Sequence, residues 1–98
     1  MVNIDNYMLT PDEILLGIAR NEKSRRKERK MTQERLAELS GVSLGSIRRF
    51  EQTGDISLVS LLKIAIVLDE TDTLSSLFSK NVEYHTMKEL LDAKRHKG

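Results

Sequence analysis

The sequence predicts an all-α fold with five helices in a single domain. Leu, Ile, Ala, Glu, Lys and Arg dominate, whereas the 98 residues include only five Gly and one Pro, and aromatic residues make up 4%. This composition favours helices over sheets. Apolar side chains also recur at intervals of three and four residues, behind residues that can cap a helix. We expect an N-terminal arm over residues 1–9, the helical domain over residues 10–79 and a short C-terminal extension over residues 80–98.

The first helix is predicted to begin at Thr10-Pro11-Asp12-Glu13. Threonine can cap a helix, proline suits the first helical position, and acidic residues favour the positive end of the helix dipole. The helix should run to about Arg29, and past Arg20 it becomes highly polar, so its second half should project or lie against a charged surface. The residues expected on its inner face are Ile14, Leu15, Ile18 and Ala19.

Two shorter helices joined by a tight turn are predicted next. Thr32 caps the second helix, and Gly41 ends it, because the backbone there needs a left-handed conformation. Ser43 caps the third helix, which runs to about Phe50. The residues expected to face inward are Leu36, Ala37, Leu39, Ile47 and Phe50.

The fourth and fifth helices follow a turn at Thr53-Gly54-Asp55. Ser57 caps the fourth helix, which is predicted from Leu58 to Leu68 and has apolar residues at helical spacing: Leu58, Leu61, Leu62, Ala65 and Leu68. An acidic break over residues 69–72 separates it from a short fifth helix, over about residues 73–79, with Leu74, Leu77 and Phe78.

The C-terminal extension contains two short patterns. Val82-Glu83-Tyr84 alternates like a strand, and Thr86-Met87-Lys88-Glu89 predicts a capping box that opens a helix to about Arg95. Met87, Leu90 and Leu91 would form a narrow apolar stripe. Such a segment cannot bury much surface alone, so we expect it to pack on the domain or on a second subunit.

Positive charge is concentrated in residues 20–30. The whole chain has a net charge of +1, yet this segment has seven basic and two acidic residues. A concentrated basic surface favours phosphate contacts, which supply most non-specific affinity for nucleic acid. A solvated helix face of mixed charge remains the alternative explanation.

The segment Thr32–Glu51 has the pattern of two helices that cross steeply over a tight turn. Ala37 is small where the two backbones must approach. A shared core would lock the two helices together, and its expected members are Leu36, Val42, Ile47 and Phe50. The residues left pointing away from that core are Leu44, Gly45, Ser46, Arg48 and Arg49. A helix held in this way can enter the major groove of DNA.

This pattern resembles the helix-turn-helix domains of the Cro/C1-repressor (XRE) family. The matching residues are Thr32-Gln33, Leu36-Ala37, Gly41-Val42-Ser43, Ile47, Arg49-Phe50-Glu51, Thr53-Gly54, Ser57-Leu58 and Leu61 to Leu68. The resemblance covers residues 14 to 78 and implies a lambda-repressor-like domain that binds double-stranded operator DNA as a transcriptional repressor. The stretch from Ser40 to Leu68 also resembles a narrower group, the autorepressing antitoxins encoded beside Hip-type kinase toxins. That likeness implies a kinase-type toxin as a partner.

The resemblance implies roles for particular residues. Gln33 looks like the residue that clamps the helices and contacts phosphate. The residues expected to contact DNA are Gln33, Ser43, Leu44, Ser46, Arg48, Arg49 and Arg26. Arg48 and Arg49 can contact phosphate or guanine, the alternative being surface ion pairs with Glu51 or Glu38.

The start of the third helix departs from the family pattern. Many members have Gln or another polar residue in place of Leu44, and Ser or Thr in place of Gly45. Leu44 can touch a thymine methyl group but makes no hydrogen bond. Specificity should therefore depend on Ser46, on the two arginines and on DNA shape. The alternative is that Leu44 contacts a protein.

A homodimer is expected, because one short helix reads too few base pairs. The expected self-association or partner surface consists of Leu74, Leu77, Phe78, Tyr84, Met87 and Leu90. The alternative function is a protein-interaction module that binds an acidic partner without DNA specificity.

Composition argues against the other function classes. The chain has no cysteine, which excludes disulfides and thiolate chemistry. Its only histidines, His85 and His96, lack a recognisable ligand set, and no phosphate-binding glycine loop is present, so we expect neither an enzyme nor a cofactor. Residues 20–30 have almost no apolar face to insert into a membrane. Without an apolar run of 18 residues or a signal-peptide pattern, we expect a cytoplasmic protein.

Overall fold

The computed structural model describes residues 9–80, which form five α-helices; within that part of the chain there is no strand. The helices are α1 (Pro11–Glu28), α2 (Gln33–Ser40), α3 (Leu44–Thr53), α4 (Leu58–Val67) and α5 (Thr71–Ser75). The predicted all-α, five-helix fold is confirmed. The predicted strand at 82–84, the predicted helix from Thr86 and nearly all of the N-terminal arm lie outside the described residues.

The first four helices begin at the residues predicted to cap them. Thr10 Oγ1 accepts a hydrogen bond from the Glu13 amide at 3.2 Å, and Thr10 donates its own amide to Glu13 Oε1 at 3.0 Å. The pKa of Glu13 is lowered, because hydrogen bonds from the backbone amide and the side chain of Thr10 favour its carboxylate. The side chains of Thr32, Ser43 and Ser57 make the same kind of N-cap contact for α2, α3 and α4.

The core lies between α2, α3 and α4. Its cluster of buried side chains comprises Leu36, Val42, Ile47, Ile64 and Leu68. Phe50 is also buried, so the predicted shared core of the two crossing helices is confirmed. α1 packs against α3, α2 packs against both α3 and α4, and α5 packs against α4.

The predicted inner face of α1 is wrong at three of four positions. Ala19 is fully buried, but Ile14, Leu15 and Ile18 are 40–45% exposed. The buried face is instead formed by Ala19, Glu22 and Arg26. These residues are three and four positions apart and therefore share one side of the helix. The polar second half of α1 does lie against a charged group, as expected, because Arg26 contacts Glu51.

Three leucines predicted to face inward are exposed: Leu39 by 48%, Leu58 by 68% and Leu62 by 39%. On α4 the core-facing residues are Ile64, Ala65 and Leu68. Eight of the ten residues of α4 are apolar, so spacing alone could not show which side of the helix packs on α2.

Two helix ends differ from the prediction. α3 continues to Thr53, and Gly54 ends it with a positive φ of 83°. α5 spans Thr71–Ser75 rather than 73–79, so it starts inside the acidic break. Acidic residues stabilise the positive, N-terminal end of a helix, so the acidic segment 69–72 begins α5 instead of separating it from α4. Leu77 and Phe78 consequently lie beyond α5.

None of the five helices in residues 9–80 is long and apolar enough to cross a membrane.

Candidate nucleic-acid interface

A left-handed turn fixes the crossing of α2 and α3. Gly41 has a φ of 76°, and its amide donates to the carbonyl oxygen of Ala37 at 3.0 Å. The next amide, that of Val42, donates to Ser40 Oγ at 3.1 Å. Leu36 and Ile47, one from each helix, are fully buried. The orientation of α3 is therefore set by the same core that holds the domain together.

The opposite side of α3 faces solvent. Its exposed residues are Gly45, Ser46, Arg48 and Arg49, with Leu44 half-buried beside them. Ser43 Oγ caps the helix and also donates to Ser46 Oγ at 2.8 Å. Because Ser46 accepts in that contact, its own hydroxyl hydrogen can still donate to a phosphate or base oxygen.

Both arginines on this face make ion pairs at the surface. Arg49 Nη2 lies 2.8 Å from Asp55 Oδ2, and these side chains are 70% and 63% exposed. Arg48 Nη2 lies 3.9 Å from Glu34 Oε2, with similar exposure. The partners are therefore neither Glu51 nor Glu38. Exposed ion pairs contribute about 0–1 kcal/mol, so either guanidinium can exchange its carboxylate for a phosphate at little cost.

A buried network joins the ends of three helices behind this face. Arg26 Nε and Nη2 donate to the two carboxylate oxygens of Glu51, each at 2.9 Å, and Arg26 Nη1 donates to the Met31 carbonyl oxygen at 2.8 Å. Gln33 Nε2 donates to Glu51 Oε1, also at 2.9 Å. The side chains of Arg26 and Glu51 are only 8% and 3% exposed. The network therefore ties α1 and the start of α2 to α3.

The charges in this network stabilise one another. The hydrogen bonds to Glu51 raise the pKa of Arg26. Burial opposes ionisation of Glu51, but the hydrogen bonds from Arg26, Glu22 and Gln33 lower its pKa on balance. Glu51 is thus a buried carboxylate whose hydrogen bonds hold the helices together. Gln33 contributes to this contact by donating its hydrogen bond to Glu51.

The structure separates Arg26 from the other residues expected at the interface. Its guanidinium is buried against Glu51, whereas Ser46, Arg48 and Arg49 share an exposed face. Neither Glu51 nor Glu22 was predicted from the sequence to belong to this buried network. The available signal was the spacing of Ala19, Glu22 and Arg26, which places two charged residues in line with a buried alanine.

Glu22 lies beside this network, with only 7% of its surface exposed. Neither of its carboxyl oxygens accepts a hydrogen bond from any residue between 9 and 80. Burial, together with a hydrogen bond to the Glu51 carboxylate and its negative charge, raises the pKa of Glu22 to about 8. The isolated chain therefore keeps Glu22 protonated at neutral pH.

The basic segment of α1 divides into paired and exposed charges. Arg26 is buried with Glu51, and Arg25 forms ion pairs with Glu28 and Glu70. The remaining basic residues of the segment are exposed: Arg20, Lys23, Lys27, Arg29 and Lys30. These five side chains keep the positive surface that the sequence indicated.

Two helices that cross over a glycine turn, with the second presenting exposed arginines, define a helix-turn-helix protein. The model of the helix-turn-helix family matches residues 23–74, which is more than half of the chain. The chain belongs to this family, of the Cro/C1 type, and is a DNA-binding regulator. No curated protein and no solved structure matched the chain.

Proposed function

We propose that this protein is a sequence-specific transcriptional repressor that binds operator DNA with α3 in the major groove. One observation carries the proposal: α3 exposes Ser46, Arg48 and Arg49 on one side. Its other side is held by a buried core and by the Arg26–Glu51 pair. Such a rigid, cationic helix face suits the major groove, which admits one α-helix.

Each expected contact residue has a place in this proposal. Arg48 and Arg49 contact guanine or phosphate, and Ser46 donates to a base or phosphate oxygen. Ser43 and Gln33, at the starts of α3 and α2, approach the DNA backbone, where helix N-termini favour phosphate. Leu44 contacts a thymine methyl group. Arg26 acts through Glu51 by fixing the angle of α3, without touching DNA.

The operator complex is proposed to contain a homodimer. Two copies related by a two-fold axis place their recognition helices about 34 Å apart, one turn of DNA. In the described chain, Phe78 is fully exposed, Leu77 is 52% exposed and Leu74 is half-buried. These residues support a self-association surface there, completed by Tyr84, Met87 and Leu90 of the C-terminal extension.

We extend the proposal to the biological role suggested by the likeness to antitoxins. The protein would repress its own promoter in the cytoplasm and neutralise a kinase-type toxin. The acidic residues 69–72 or the C-terminal extension would contact that toxin, leaving α3 free for DNA. Co-purification of a kinase encoded by a neighbouring gene is the expected result, and the absence of such a partner contradicts this extension alone.

A second candidate function is supported by the start of α3. Leu44 and Gly45 offer no hydrogen-bonding side chain, so direct readout of bases there is weak. Weak readout of bases would not matter in a protein-interaction module, which would place Leu44 and the basic surface of α1 against an acidic protein partner. Such a module would bind any duplex through phosphate alone.

Fluorescence anisotropy separates the two functions. Binding to the duplex upstream of the gene is compared with binding to a scrambled duplex, at roughly 50 and 200 mM salt. A repressor keeps its preference for the native duplex at the higher salt concentration. Arg48→Ala should weaken that preference, whereas Lys63→Ala, which removes an exposed charge on α4, should not. Equal binding to both duplexes, lost at high salt, would support the interaction module.

A further inference from the structure

An apolar groove runs between α1, α4 and α5, on a part of the domain distinct from the face of α3. It has a volume of about 750 Å³. Its apolar lining includes Ile18, Leu58, Leu61, Leu68, Leu74 and Leu77. The groove exists because α1 packs against α3 rather than against α4.

Both charged and apolar side chains border the groove. Arg25 and Glu70, which both line it, form an ion pair that joins α1 to the turn before α5. Apolar surface continues along the rim, where the lining residues Leu58 and Leu77 are 68% and 52% exposed. A contiguous apolar surface of this kind on a small domain indicates a contact site.

One wall of the groove contains the buried acid Glu22. Its carboxyl oxygens receive no hydrogen bond within residues 9–80, although the side chain is more than nine-tenths buried. The groove is lined by leucines and contains a buried carboxyl group that receives no hydrogen bond. A segment that binds there should therefore be apolar and carry one basic residue that can reach this carboxyl group.

The C-terminal extension has this pattern. The last described residue, Lys80, follows the groove residue Leu77 by three positions, and 18 residues come after it. If residues 86–95 are helical, the spacing 87, 90, 91, 94 falls on one face. Those positions are Met87, Leu90, Leu91 and Lys94, which are three apolar residues and one base.

We propose that the groove of each chain receives residues 86–95 of a second copy, and that the exchange is reciprocal. Met87, Leu90 and Leu91 occupy the leucine-lined part, and the Lys94 ammonium group reaches the carboxyl of Glu22. A groove of about 750 Å³ is larger than three side chains can fill, so the tail of the same chain would leave part of the apolar lining uncovered. A second copy covers both the groove and its rim, by the helix-in-groove mode of recognition. This inference rests on the proposed homodimer and specifies how it is built.

A complementation experiment with full-length variants tests the exchange. The groove-blocked variant has Leu58→Arg and Leu77→Arg, two substitutions at exposed positions. The tail-blocked variant has Leu90→Lys and Leu91→Lys. Sedimentation without DNA should show a wild-type dimer and two monomeric variants. Their equimolar mixture should form a heterodimer, because one intact groove then meets one intact tail.

Two control variants leave the groove and the apolar stripe of the tail unchanged. Val59→Arg is an equally exposed change on α4 outside the groove, and Ala93→Lys lies off the stripe, so both variants should remain dimeric. A monomeric wild type, or a mixture that stays monomeric, overturns the exchange in favour of docking within one chain. A tail-blocked variant that remains dimeric places the dimer contact elsewhere and also overturns it.

A double-mutant cycle tests the contact between Glu22 and Lys94. Glu22→Gln and Lys94→Met should each raise the dimer dissociation constant about tenfold, and together no further. Lys88→Met, off the stripe, should combine additively with Glu22→Gln. Additive effects of Lys94→Met would overturn the pairing. The DNA-binding experiment is independent of this one. If the tails are not exchanged but the protein still prefers its operator, only this inference is rejected. If the tails are exchanged but the dimer shows no preference for the operator, only the proposed repressor function is rejected.

Discussion

Arg26 and Glu51 form a two-point ion pair that ties α1 to α3, with both N–O distances at 2.9 Å. The two residues are 25 positions apart in the sequence and almost fully buried. The pair also receives a hydrogen bond from Gln33, at the start of α2. The helix proposed to enter DNA is therefore oriented by electrostatic contacts as well as by the apolar core.

Loss of this pair should be costly. Arg26→Ala leaves the Glu51 carboxylate buried without its main partner, and we expect the free energy of unfolding to fall by about 3–5 kcal/mol. Arg26→Lys keeps the charge but loses the two-point geometry, so its effect should be smaller. Urea denaturation measures both. Arg20→Ala, an exposed change on the same helix, should stay within about 0.5 kcal/mol of the wild type; an equal loss there would mean that the pair has no special role.

Glu22 should make the protein less stable as the pH rises. The pKa of Glu22 is about 8 in the folded state, against an ordinary value of 4.5, so the folded protein binds this proton more tightly than the unfolded chain does. The stabilisation is complete below pH 4.5 and is lost progressively as the pH rises to about 8. In the Lys94→Met background, where the proposed contact between Glu22 and Lys94 is absent, Glu22→Gln stays neutral and should flatten the fall of the urea midpoint between pH 5 and 9. Parallel pH profiles for the single and the double variant would contradict this assignment.

Gly54 should not tolerate a side chain. Its φ is 83°, and an added Cβ would lie 2.7 Å from the backbone carbon of Leu15. Gly54→Ala should therefore reduce the free energy of unfolding by more than about 1 kcal/mol. Gly17→Ala is the matched control, because it lies within α1 with nothing within 4 Å of the added carbon. That change should be neutral or stabilising by up to about 1 kcal/mol, and thermal unfolding followed by circular dichroism distinguishes the two variants.

Arg49 and Ala37 should separate DNA contact from folding. Arg49→Ala removes only an exposed ion pair with Asp55, so the melting temperature should hardly change while operator binding weakens by about 1–3 kcal/mol. Ala37 packs against the core, and Ala37→Leu should overpack the helix crossing at a cost of about 1–3 kcal/mol in stability. Comparison of melting curves with anisotropy titrations checks both. A large loss of stability in Arg49→Ala would make that residue structural.

Much of the fold could be predicted from local chemistry. Thr10, Thr32, Ser43 and Ser57 cap helices because their side chains accept hydrogen bonds from nearby backbone amides, which depends on neighbours within three residues. Gly41 has the left-handed backbone that only glycine adopts easily. These features do not depend on tertiary packing, so sequence patterns identify them.

The rest required long-range contacts. Arg26 was expected at the DNA surface, and only its contact with Glu51, 25 positions away, shows that it is buried. Ile18 and Leu58 follow helical spacing, yet they line the open groove instead of the core, and Ile14 is exposed as well. A hydrophobic pattern indicates that a helix has an apolar face but not which neighbour will cover it.

The most direct test of the central claim is an NMR titration of the labelled protein with the duplex from upstream of its gene. If α3 enters the major groove, the amides of residues 43–49 and of Gln33 should shift most, and those of α5 should remain in place. The scrambled duplex should shift these signals much less. Shifts confined to residues 20–30, and equal for both duplexes, would contradict α3 as the helix that reads DNA.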